Sequence, residues 1–220
     1  ITAGPTRGAI EPGRYISNHS SGKQGYALAL AAIEAGARVT LISGPTNINA
    51  PDRATVVAVQ SADEMLEAVM SSIRDADIFI GVAAVADYKP VSALNQKIKK
   101  SAGSALTLDL VQNQDILKTV ANLENRPFTV GFAAETENVI ENARTKLTAK
   151  NLDMIIANNV ADTSIGFNSD HNETTIITRT ITGTITGTIT GTTEAQQPKM
   201  SKENLSRKLI ELIAEQIAEA

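Results

Sequence analysis

Cysteine and tryptophan are both absent from this chain of 220 residues, and aromatic residues make up only 3% of it. The lack of cysteine excludes disulfides, thiolate metal ligands and cysteine nucleophiles, and it is compatible with a reducing cytosol, so we expect a cytoplasmic protein. A core with so few aromatic side chains has to be built from isoleucine, leucine, valine and alanine, which fits parallel strands buried between helices. The scarcity of aromatic faces also argues against a stacking platform for single-stranded nucleic acid.

Long apolar runs and a strong charge of either sign are missing as well. No run approaches the ~20 apolar residues of a membrane span, the N-terminus has no signal-peptide pattern, and the formal net charge is −4. We therefore expect neither a membrane nor a nucleic acid as partner, and local positive groups must hold any anionic ligand. The chain opens directly in a strand-like run, Ile1-Thr2-Ala3, which we interpret as the start of one module of a longer fusion.

The two common nucleotide-binding motifs are also missing. A dinucleotide fingerprint requires Gly-x-Gly-x-x-Gly directly after the first strand, whereas Gly22 and Gly25 lie too far along and no acid ends the second strand at Ser43. A P-loop is excluded because Gly22-Lys23 is followed by Gln24 instead of Ser or Thr. A nucleotide site in this chain must take another form.

The chain alternates β-branched apolar runs with runs of helical periodicity. The predicted strands are residues 1–3, 38–43, 55–59, 77–82, 107–111, 128–132 and 153–157, and the predicted helices are 23–35, 61–74, 115–122, 138–150 and 201–220. The run 77–82 is almost wholly apolar, as expected in the middle of a parallel sheet. This order predicts one α/β domain over residues 1–220, with a Rossmann-like, doubly wound, mostly parallel sheet and helices on both faces.

Residues 174–193 have a different character, because Thr-Ile-Thr-Gly occurs three times between Thr180 and Gly191. β-branched residues interrupted by glycine predict hairpin strands, although such a repeat specifies register poorly. We predict a β-rich flap or dimerisation region here.

Ligands of open α/β sheets bind beyond the carboxyl ends of the strands, which directs attention to residues 14–25. This polar stretch contains Arg14 and Asn18 and leads into a predicted helix. The unpaired N–H groups at a helix start suit an anion, and capping by Ser20 or Ser21 is the open alternative. Further polar residues that follow later strands are Asp87, Glu135, Thr136, Asn158 and Asn159.

Basic side chains form two groups. The run KIKK at residues 97–100 lies in a loop, and Lys146 and Lys150 share one helix face because they are four residues apart. Both groups can attract phosphates. Alternatively, the helical pair complements the helix dipole with Asn151 as the cap, and the loop lysines are solvated.

Neither histidine fits a catalytic base or a metal ligand. His19 has no carboxylate nearby in sequence, and His171 lies in a polar stretch interpreted as a turn, without metal-ligand spacing. Amides and cations remain: Asn18 and Arg14 as donors to a developing oxyanion, lysines for phosphates, and a metal carried by the phosphates. This set fits an activation of acyl-phosphate type, in which the protein positions groups and neutralises charge.

Four segments then occur in a recognisable order: RYISNHSSGK at 14–23, AAVADY at 83–88, KIKK at 97–100 and GFAAET at 131–136. Together they closely resemble bacterial phosphopantothenoylcysteine synthetase, in many bacteria the C-terminal half of a bifunctional coenzyme A biosynthesis protein. The resemblance implies a ligase in which the carboxylate of 4′-phosphopantothenate attacks the α-phosphate of CTP, with Mg²⁺ on the triphosphate. An acyl-cytidylate and pyrophosphate result, and the amine of L-cysteine then displaces CMP.

The same resemblance implies roles for individual residues. Asn18 is the catalytic residue that stabilises the acyl-cytidylate, while Arg14, Ala84 and Lys97 bind the substrate. The positions that match nucleotide-binding residues are Gly81, Asp87, Lys97, Asn113, Asp115, Ile116, Phe132, Lys146 and Lys150. No metal-binding side chain is predicted. The resemblance also implies a homodimer, fused to or associated with a phosphopantothenoylcysteine decarboxylase domain.

Two positions depart from the family pattern: Gly8 stands where an acid is common, and Gly13 where an apolar residue is usual. Both lie near Arg14, so they put the rigidity of that loop in question. Two other functions stay open, a Rossmann-type NAD(P)-dependent oxidoreductase and a non-catalytic nucleotide-binding module. The choice between CTP and ATP depends on hydrogen bonds to the base that sequence does not show.

Overall fold

A computed structural model of the chain describes residues 1–99, 105–161, 164–165, 168–181 and 189–218. Lys100 of the predicted basic run, the repeat glycines Gly183 and Gly187, and the last two residues of the predicted final helix lie outside this range. None of the described helices is long and apolar enough to cross a membrane.

The elements follow one another in an alternating α/β order. The first half of the chain contains β1 (Thr2–Ala3), β2 (Gly8–Glu11), β3 (Arg14–Ile16), α1 (Lys23–Glu34), β4 (Thr40–Ser43), β5 (Thr55–Ala58), α2 (Ala62–Ser72), a 3-10 turn (Ile73–Asp75) and β6 (Ile78–Gly81). The second half contains β7 (Tyr88–Pro90), β8 (Leu110–Gln112), α3 (Ile116–Ala121), β9 (Phe128–Glu135), α4 (Val139–Ala149), β10 (Met154–Asn159), β11 (His171–Ile181), β12 (Ile189–Ser201) and α5 (Lys202–Ala218). All predicted helices are confirmed.

Eight strands form the main sheet in the order β12-β11-β10-β9-β6-β1-β4-β5. The six strands from β10 to β5 are parallel to one another, and β11 and β12 extend the sheet as an antiparallel hairpin. Numbered along the chain, the parallel strands lie in the order 3-2-1-4-5-6, the doubly wound arrangement whose direction reverses between β1 and β6. The predicted fold is confirmed, and β6 lies inside the sheet as expected.

Helices cover both faces of this sheet. On one face α1 and α5 pack together, and their leucines (Leu28, Leu205 and Leu209) meet Val130 and Ile156 of the sheet. On the other face lie α2, α3 and α4, with cores around Met65, Val69 and Val120 and around Ala143, Leu147 and Ile155. All of these side chains are buried. Burial on both faces explains why the central strands read as continuous apolar runs.

Some local predictions are wrong. The predicted loop 14–25 begins with strand β3, which pairs with β2 in a hairpin, since Pro12 and Gly13 form the turn between them. The strand predicted at 107–111 is Leu110–Gln112, and it pairs with β7 outside the main sheet. His171, predicted in a turn, begins β11, because pairing with β12 outweighs the weak strand preference of its polar neighbours.

The region 174–193 was predicted as a β flap, and its described residues do belong to a hairpin. The two strands are part of the main sheet, however, and β11 pairs with β10 over five register pairs from Met154↔Thr178 to Asn158↔Thr174. The hairpin therefore continues the core of the domain on its β10 side.

Candidate functional site

The loops after β1 and β6 leave the sheet at its carboxyl edge and are hydrogen-bonded to each other. The Thr2 hydroxyl accepts from the backbone N–H groups of Val82 and Ala83, both at 3.2 Å. Farther out, the Thr6 hydroxyl accepts from the N–H of Ala86 at 3.0 Å, and the Thr6 N–H donates to the carbonyl of Ala84 at 3.3 Å. The crevice at the switch point therefore has a fixed backbone, as expected for a ligand site of this fold.

Asn18 bridges the two sides of this crevice. Its Nδ2 donates to the carbonyl oxygen of Ala84 at 2.6 Å, and its Oδ1 accepts from the N–H of Ser20 at 3.0 Å. The amide is half-buried and oriented at both ends. An amide nitrogen has two N–H groups, so Nδ2 keeps a second donor in addition to the one that Ala84 accepts. The structure brings together Asn18 and Ala84, both predicted at the site.

A cavity of about 160 Å³ adjoins this contact. It lies between the start of α1 and the carboxyl ends of β6, β9 and β10, and its lining residues include Ser20, Gly22, Gly25, Phe132, Asn158 and Lys202. Phe132 was predicted as a nucleotide-binding residue. The cavity occupies the position where doubly wound folds bind nucleotides.

The start of α1 bears on whether residues 14–25 form an anion site or a serine cap of the helix. Gly22 occupies the N-cap position in a left-handed conformation with φ of 80°, and no side chain caps the helix. Ser20 and Ser21 lie outside the N-cap position, although their hydroxyls accept long hydrogen bonds from the N–H groups of Gly22 and Lys23 at 3.4 and 3.5 Å. Gly25 allows close packing on β1, because a Cβ there would lie 2.6 Å from the Cβ of Ala3. The start of α1 lines the cavity, and the N–H groups of its first turn favour an anion site there.

The lining of the cavity also contains residues that sequence reasoning missed. Lys202 begins α5, is buried, and donates from Nζ to the carbonyl of Ser169 at 2.6 Å. Asn172 is also buried and contacts Gln24, whose Nε2 donates to the Ser206 hydroxyl at 2.9 Å. These residues are far apart in the sequence, and the amphipathic pattern of α5 alone gives no sign of the cavity.

Lys146 and Lys150 are each paired with a carboxylate. Lys146 donates to Glu135 at the end of β9, and Lys150 lies 2.9 Å from Oδ2 of Asp115. Asp115 also caps α3, accepting from the N–H of Lys118 at 2.9 Å. Asn151 follows α4 with a left-handed φ of 60°, so the predicted helix-end role is confirmed. Each of the two lysines is therefore charge-balanced by one carboxylate.

Asn113 links the predicted nucleotide residues to the β6 loop. Its N–H donates to the carbonyl of Asp87 and its Nδ2 to the carbonyl of Ala86, both at 2.8 Å. Its Oδ1 is buried and has no hydrogen-bond partner among the described residues. A buried acceptor without a protein partner, such as this oxygen, is typical of a place where a ligand or a water supplies the donor.

Ile116 was also predicted to bind the nucleotide. It is buried in the first turn of α3, where it packs in the core.

Gly81 lies at the end of β6 directly beside Gly131 of β9. A Cβ at Gly81 would be 2.9 Å from a methyl group of Leu117, and one at Gly131 would be 2.7 Å from the other methyl group. The two glycines thus let α3 approach the sheet. Gly81 was predicted to bind the nucleotide, and its contact in the structure is this packing against Leu117.

Arg14 is fixed by Glu11, another residue that sequence reasoning missed. The Arg14 Nε lies 2.9 Å from Oε1 of Glu11, whose Oε2 accepts from the N–H of Ile98 at 2.8 Å. The hydrogen bond from Arg14 holds the pKa of the buried Glu11 carboxyl below its usual value, and the Ile98 N–H adds to the effect. Lys97, next to Ile98, is exposed. Glu11 thus ties the lysine loop to the β2–β3 hairpin.

The two unusual glycines are accommodated in this region. A Cβ at Gly8 would lie 3.0 Å from Cδ of Pro90 in β7, and one at Gly13 would lie 3.1 Å from Oε1 of Glu11. Gly8 therefore permits a close approach of β2 to β7. Rigidity near Arg14 is supplied by its contacts with Glu11 and with the carbonyl of Ile98 at 3.2 Å.

The sheet order and the cavity at its switch point show that the chain is a doubly wound α/β protein with a ligand cavity at the carboxyl ends of its strands. Comparison with known proteins identifies its family. The model for the DNA/pantothenate metabolism flavoprotein C-terminal domain matches residues 1–217, and the chain belongs to this family.

The chain is 49% identical over 219 residues to the coenzyme A biosynthesis bifunctional protein CoaBC of Vibrio cholerae, covering 99% of this chain and 52% of that protein. It is 54% identical over 175 residues to CoaBC of Escherichia coli K12, covering 78% of this chain and 43% of that protein. The crystal structure of the C-terminal domain of a CoaBC protein superposes with a TM-score of 0.80 at 37% identity, covering 100% of this chain and 95% of that one. The chain spans about half the length of the curated relatives it matches.

Proposed function

We propose that this chain is a phosphopantothenate–cysteine ligase module of coenzyme A biosynthesis. It joins 4′-phosphopantothenate to L-cysteine through an acyl-cytidylate and converts CTP to CMP and pyrophosphate. The observation that carries the proposal is the bond between Asn18 Nδ2 and the Ala84 carbonyl, beside the cavity at the switch point. High identity to CoaBC proteins supports the reaction class.

The proposed first step is attack of the substrate carboxylate on the α-phosphate of CTP, with pyrophosphate leaving. The triphosphate of CTP carries concentrated negative charge, which the N–H groups at the start of α1 and the ammonium of Lys202 can oppose, since both regions line the cavity. A further part of the nucleotide site is assigned to Asp115, Lys146 and Lys150, whose ion pairs lie around α3 and α4. Binding there requires the lysines to exchange carboxylate partners for phosphates.

The second step is attack of the cysteine amine on the acyl carbon, with CMP leaving and the amine losing a proton. Asn18 fits this step because an uncharged donor can stabilise oxygens of the mixed anhydride and leave it electrophilic. Its second Nδ2 hydrogen is the group we assign to that task. Arg14, held by Glu11, and Lys97 are assigned to the phosphopantothenate.

Mg²⁺ belongs to the proposal as the counter-ion of the triphosphate. Phosphate oxygens are ligands that this ion prefers, and it usually keeps several waters. The described residues contain no group of three or more acidic or histidine side chains that could hold a metal ion. When bound, Mg²⁺ would supply charge neutralisation on the phosphates.

A homodimer is the proposed assembly. The described residues of β7, β8 and their connection expose large apolar side chains to between 46% and 63%: Tyr88, Val91, Leu94, Leu106 and Leu110. Exposed apolar groups concentrated in one region are typical of an interaction surface. Sedimentation of a Val91→Ser, Leu110→Ser double variant should show more monomer than the parental chain. A decarboxylase domain as a fused or associated partner and a cytoplasmic location are further parts of the proposal, supported by the CoaBC relatives.

The test is a turnover assay with CTP and with ATP, first without and then with cysteine. We expect pyrophosphate release from CTP that depends on 4′-phosphopantothenate and Mg²⁺, and ligated product only after cysteine is added. A chain that binds CTP without releasing pyrophosphate would be the non-catalytic module. Binding of NAD(P)H would favour the oxidoreductase, against which the missing glycine fingerprint counts.

A further inference from the structure

A second cavity, of about 260 Å³, is bordered by β2, the start of α2 and the segment that contains β7. It is separate from the cavity at the start of α1, since the residues that line the two cavities are different. The residues of the second cavity that bear on its chemistry are Thr6, Arg7, Asp63, Ala86, Lys89 and Asn113.

Two of these residues connect the second cavity to the contact between Asn18 and Ala84. The N–H of Thr6 donates to the Ala84 carbonyl, which also accepts from Nδ2 of Asn18. Ala86 donates from its N–H to the Thr6 hydroxyl at 3.0 Å. It is two residues beyond Ala84, so the Cα atoms of Ala84 and Ala86 are at most about 7 Å apart. The second cavity is therefore close to the place assigned to the acyl-cytidylate.

Arg7 is a cation of this lining that no carboxylate of the described residues neutralises. Lys89, the other cation, pairs with Asp63. The Arg7 guanidinium lies over the ring of Tyr15, 4.3 Å from its centroid, and its Nη1 donates to Oε1 of Gln60 at a long 3.4 Å. Because stacking engages the face of a guanidinium, most of the N–H donors along its edge stay available. Such an edge matches the two oxygens of a carboxylate.

Asn113 offers the opposite kind of group, an acceptor. Its Nδ2 donates to the carbonyl of Ala86 at 2.8 Å, which fixes the orientation of the amide and leaves Oδ1 as the other end. That oxygen is buried and has no partner among the described residues. An amine carries N–H groups that can complete it.

We propose that the second cavity binds L-cysteine, with the carboxylate of the amino acid on Arg7 and its amine on Oδ1 of Asn113. This role rests on the ligase function proposed above, in which cysteine is the substrate that no residue has yet been assigned to bind. An α-amino acid carries both groups that this lining complements, a carboxylate for the guanidinium and an amine for the amide oxygen.

The placement orients cysteine for the second half-reaction. Oδ1 of Asn113 accepts one N–H of the neutral amine, and the nitrogen lone pair stays available for attack. The nitrogen forms a bond to the acyl carbon, the bond between that carbon and the phosphate oxygen breaks with its electron pair leaving on CMP, and the proton of the nitrogen passes to water. Since Arg7 holds the carboxylate, an amine without a carboxylate should react poorly.

The experiment compares cysteine with cysteamine, which has the same thiol and amine but no carboxylate. The value of kcat/KM for each amine is measured with the 220-residue chain at saturating CTP, Mg²⁺ and 4′-phosphopantothenate. The parental chain should prefer cysteine roughly 10- to 100-fold. Arg7→Met should lower kcat/KM for cysteine to near the value for cysteamine, which should itself change little. Arg7→Lys should recover part of the preference, because an ammonium attracts a carboxylate without the two-pronged contact.

Arg74→Met is the matched control, since Arg74 is an exposed arginine in the 3-10 turn after α2 and does not line the cavity. It should leave both values of kcat/KM unchanged. An unchanged preference for cysteine in Arg7→Met, or equal losses for the two amines, overturns the cysteine site. Equal use of both amines by the parental chain also overturns it, and this comparison needs no variant to fold. Absence of pyrophosphate release by the parental chain is a different result, which overturns the ligase and this role with it.

Discussion

The side-chain amide of Asn18 donates a hydrogen bond of 2.6 Å to the backbone carbonyl of Ala84, 66 residues away in the chain. This bond joins the loop after β1 to the loop after β6, and the Thr6 N–H donates to the same carbonyl at 3.3 Å. The amide is therefore held in one orientation before any ligand binds. Preorganised donors of this kind are the ones that contribute most to catalysis.

Asn18→Asp should separate the two half-reactions. Aspartate is close to asparagine in size but, when ionised, has no donor for an oxygen of the intermediate. We expect CTP binding and pyrophosphate release to persist, while formation of the cysteine adduct falls about 100-fold or more. Quenched-flow measurement of both products checks this. Adduct formation at the parental rate would remove Asn18 from its proposed role.

Lys150→Met should affect nucleotide binding more than stability. The ion pair with Asp115 is partly exposed, 30% and 38% for the two side chains, and pairs of that kind contribute about 0–1 kcal/mol. If Lys150 moves to a phosphate in the complex, the Kd for CTP should rise about tenfold, equivalent to about 1.4 kcal/mol. Urea unfolding and calorimetry measure the two quantities.

Asp115→Asn is the control for this variant. Asparagine still caps α3 but frees Lys150 from its carboxylate, so CTP affinity should be kept or increased. A loss of affinity equal to that of Lys150→Met would mean that the ion pair, and not the lysine, shapes the site.

Gly25→Ala should destabilise the domain by forcing α1 away from β1. The added Cβ would lie 2.6 Å from Cβ and 3.1 Å from Cα of Ala3, and overpacking of this kind costs about 1–3 kcal/mol. Urea denaturation measures the free energy of unfolding. Gly191→Ala serves for comparison, because a Cβ there would meet no atom of the described residues within 4 Å, and it should change that free energy by about 0.5 kcal/mol or less.

Acid should weaken the β2–β3 hairpin through Glu11. The pKa of this carboxyl is lowered in the folded protein, chiefly by the hydrogen bond from Arg14. Its stabilising contribution is therefore complete above its ordinary pKa of 4.5 and is lost as the pH falls through the lower folded value. Unfolding of the parental chain and of Glu11→Gln should differ most at neutral pH and converge below pH 4.5. Parallel curves over the whole range would contradict this.

The sequence was informative wherever local patterns decide the outcome. The second helix was predicted to begin at Ser61, and in the structure the Ser61 hydroxyl caps that helix by accepting from the N–H of Glu64 at 3.1 Å. The apolar run 77–82 was predicted for the middle of the sheet, and β6 lies between β1 and β9. Both features depend on residues that are close in the chain, namely a side chain within one helical turn and a run that is buried on both faces.

Features that depend on distant pairs were missed. Glu11 accepts from the N–H of Ile98, and Lys202, which lines the cavity together with the start of α1, donates to the carbonyl of Ser169. The spacing of residues along the chain does not predict such contacts. Gly22 shows the same limit at short range. The sequence left capping by Ser20 or Ser21 open, whereas the N-cap residue is Gly22, whose close approach to Gly4 and Thr46 leaves room only for a glycine in a left-handed conformation.

The contact of Leu117 with Gly81 and Gly131 sets the thickness of the domain beside the site. Each methyl group of this leucine occupies the space that a Cβ of one glycine would fill. Because Asp115 and Ile116 begin the same short helix, a side chain at either glycine would lift them together with α3, and the partner of Lys150 would move as well. The two glycines of the sheet thus set the distance between the sheet and the start of α3. A residue can in this way determine the positions of predicted nucleotide-binding side chains without contacting any ligand itself.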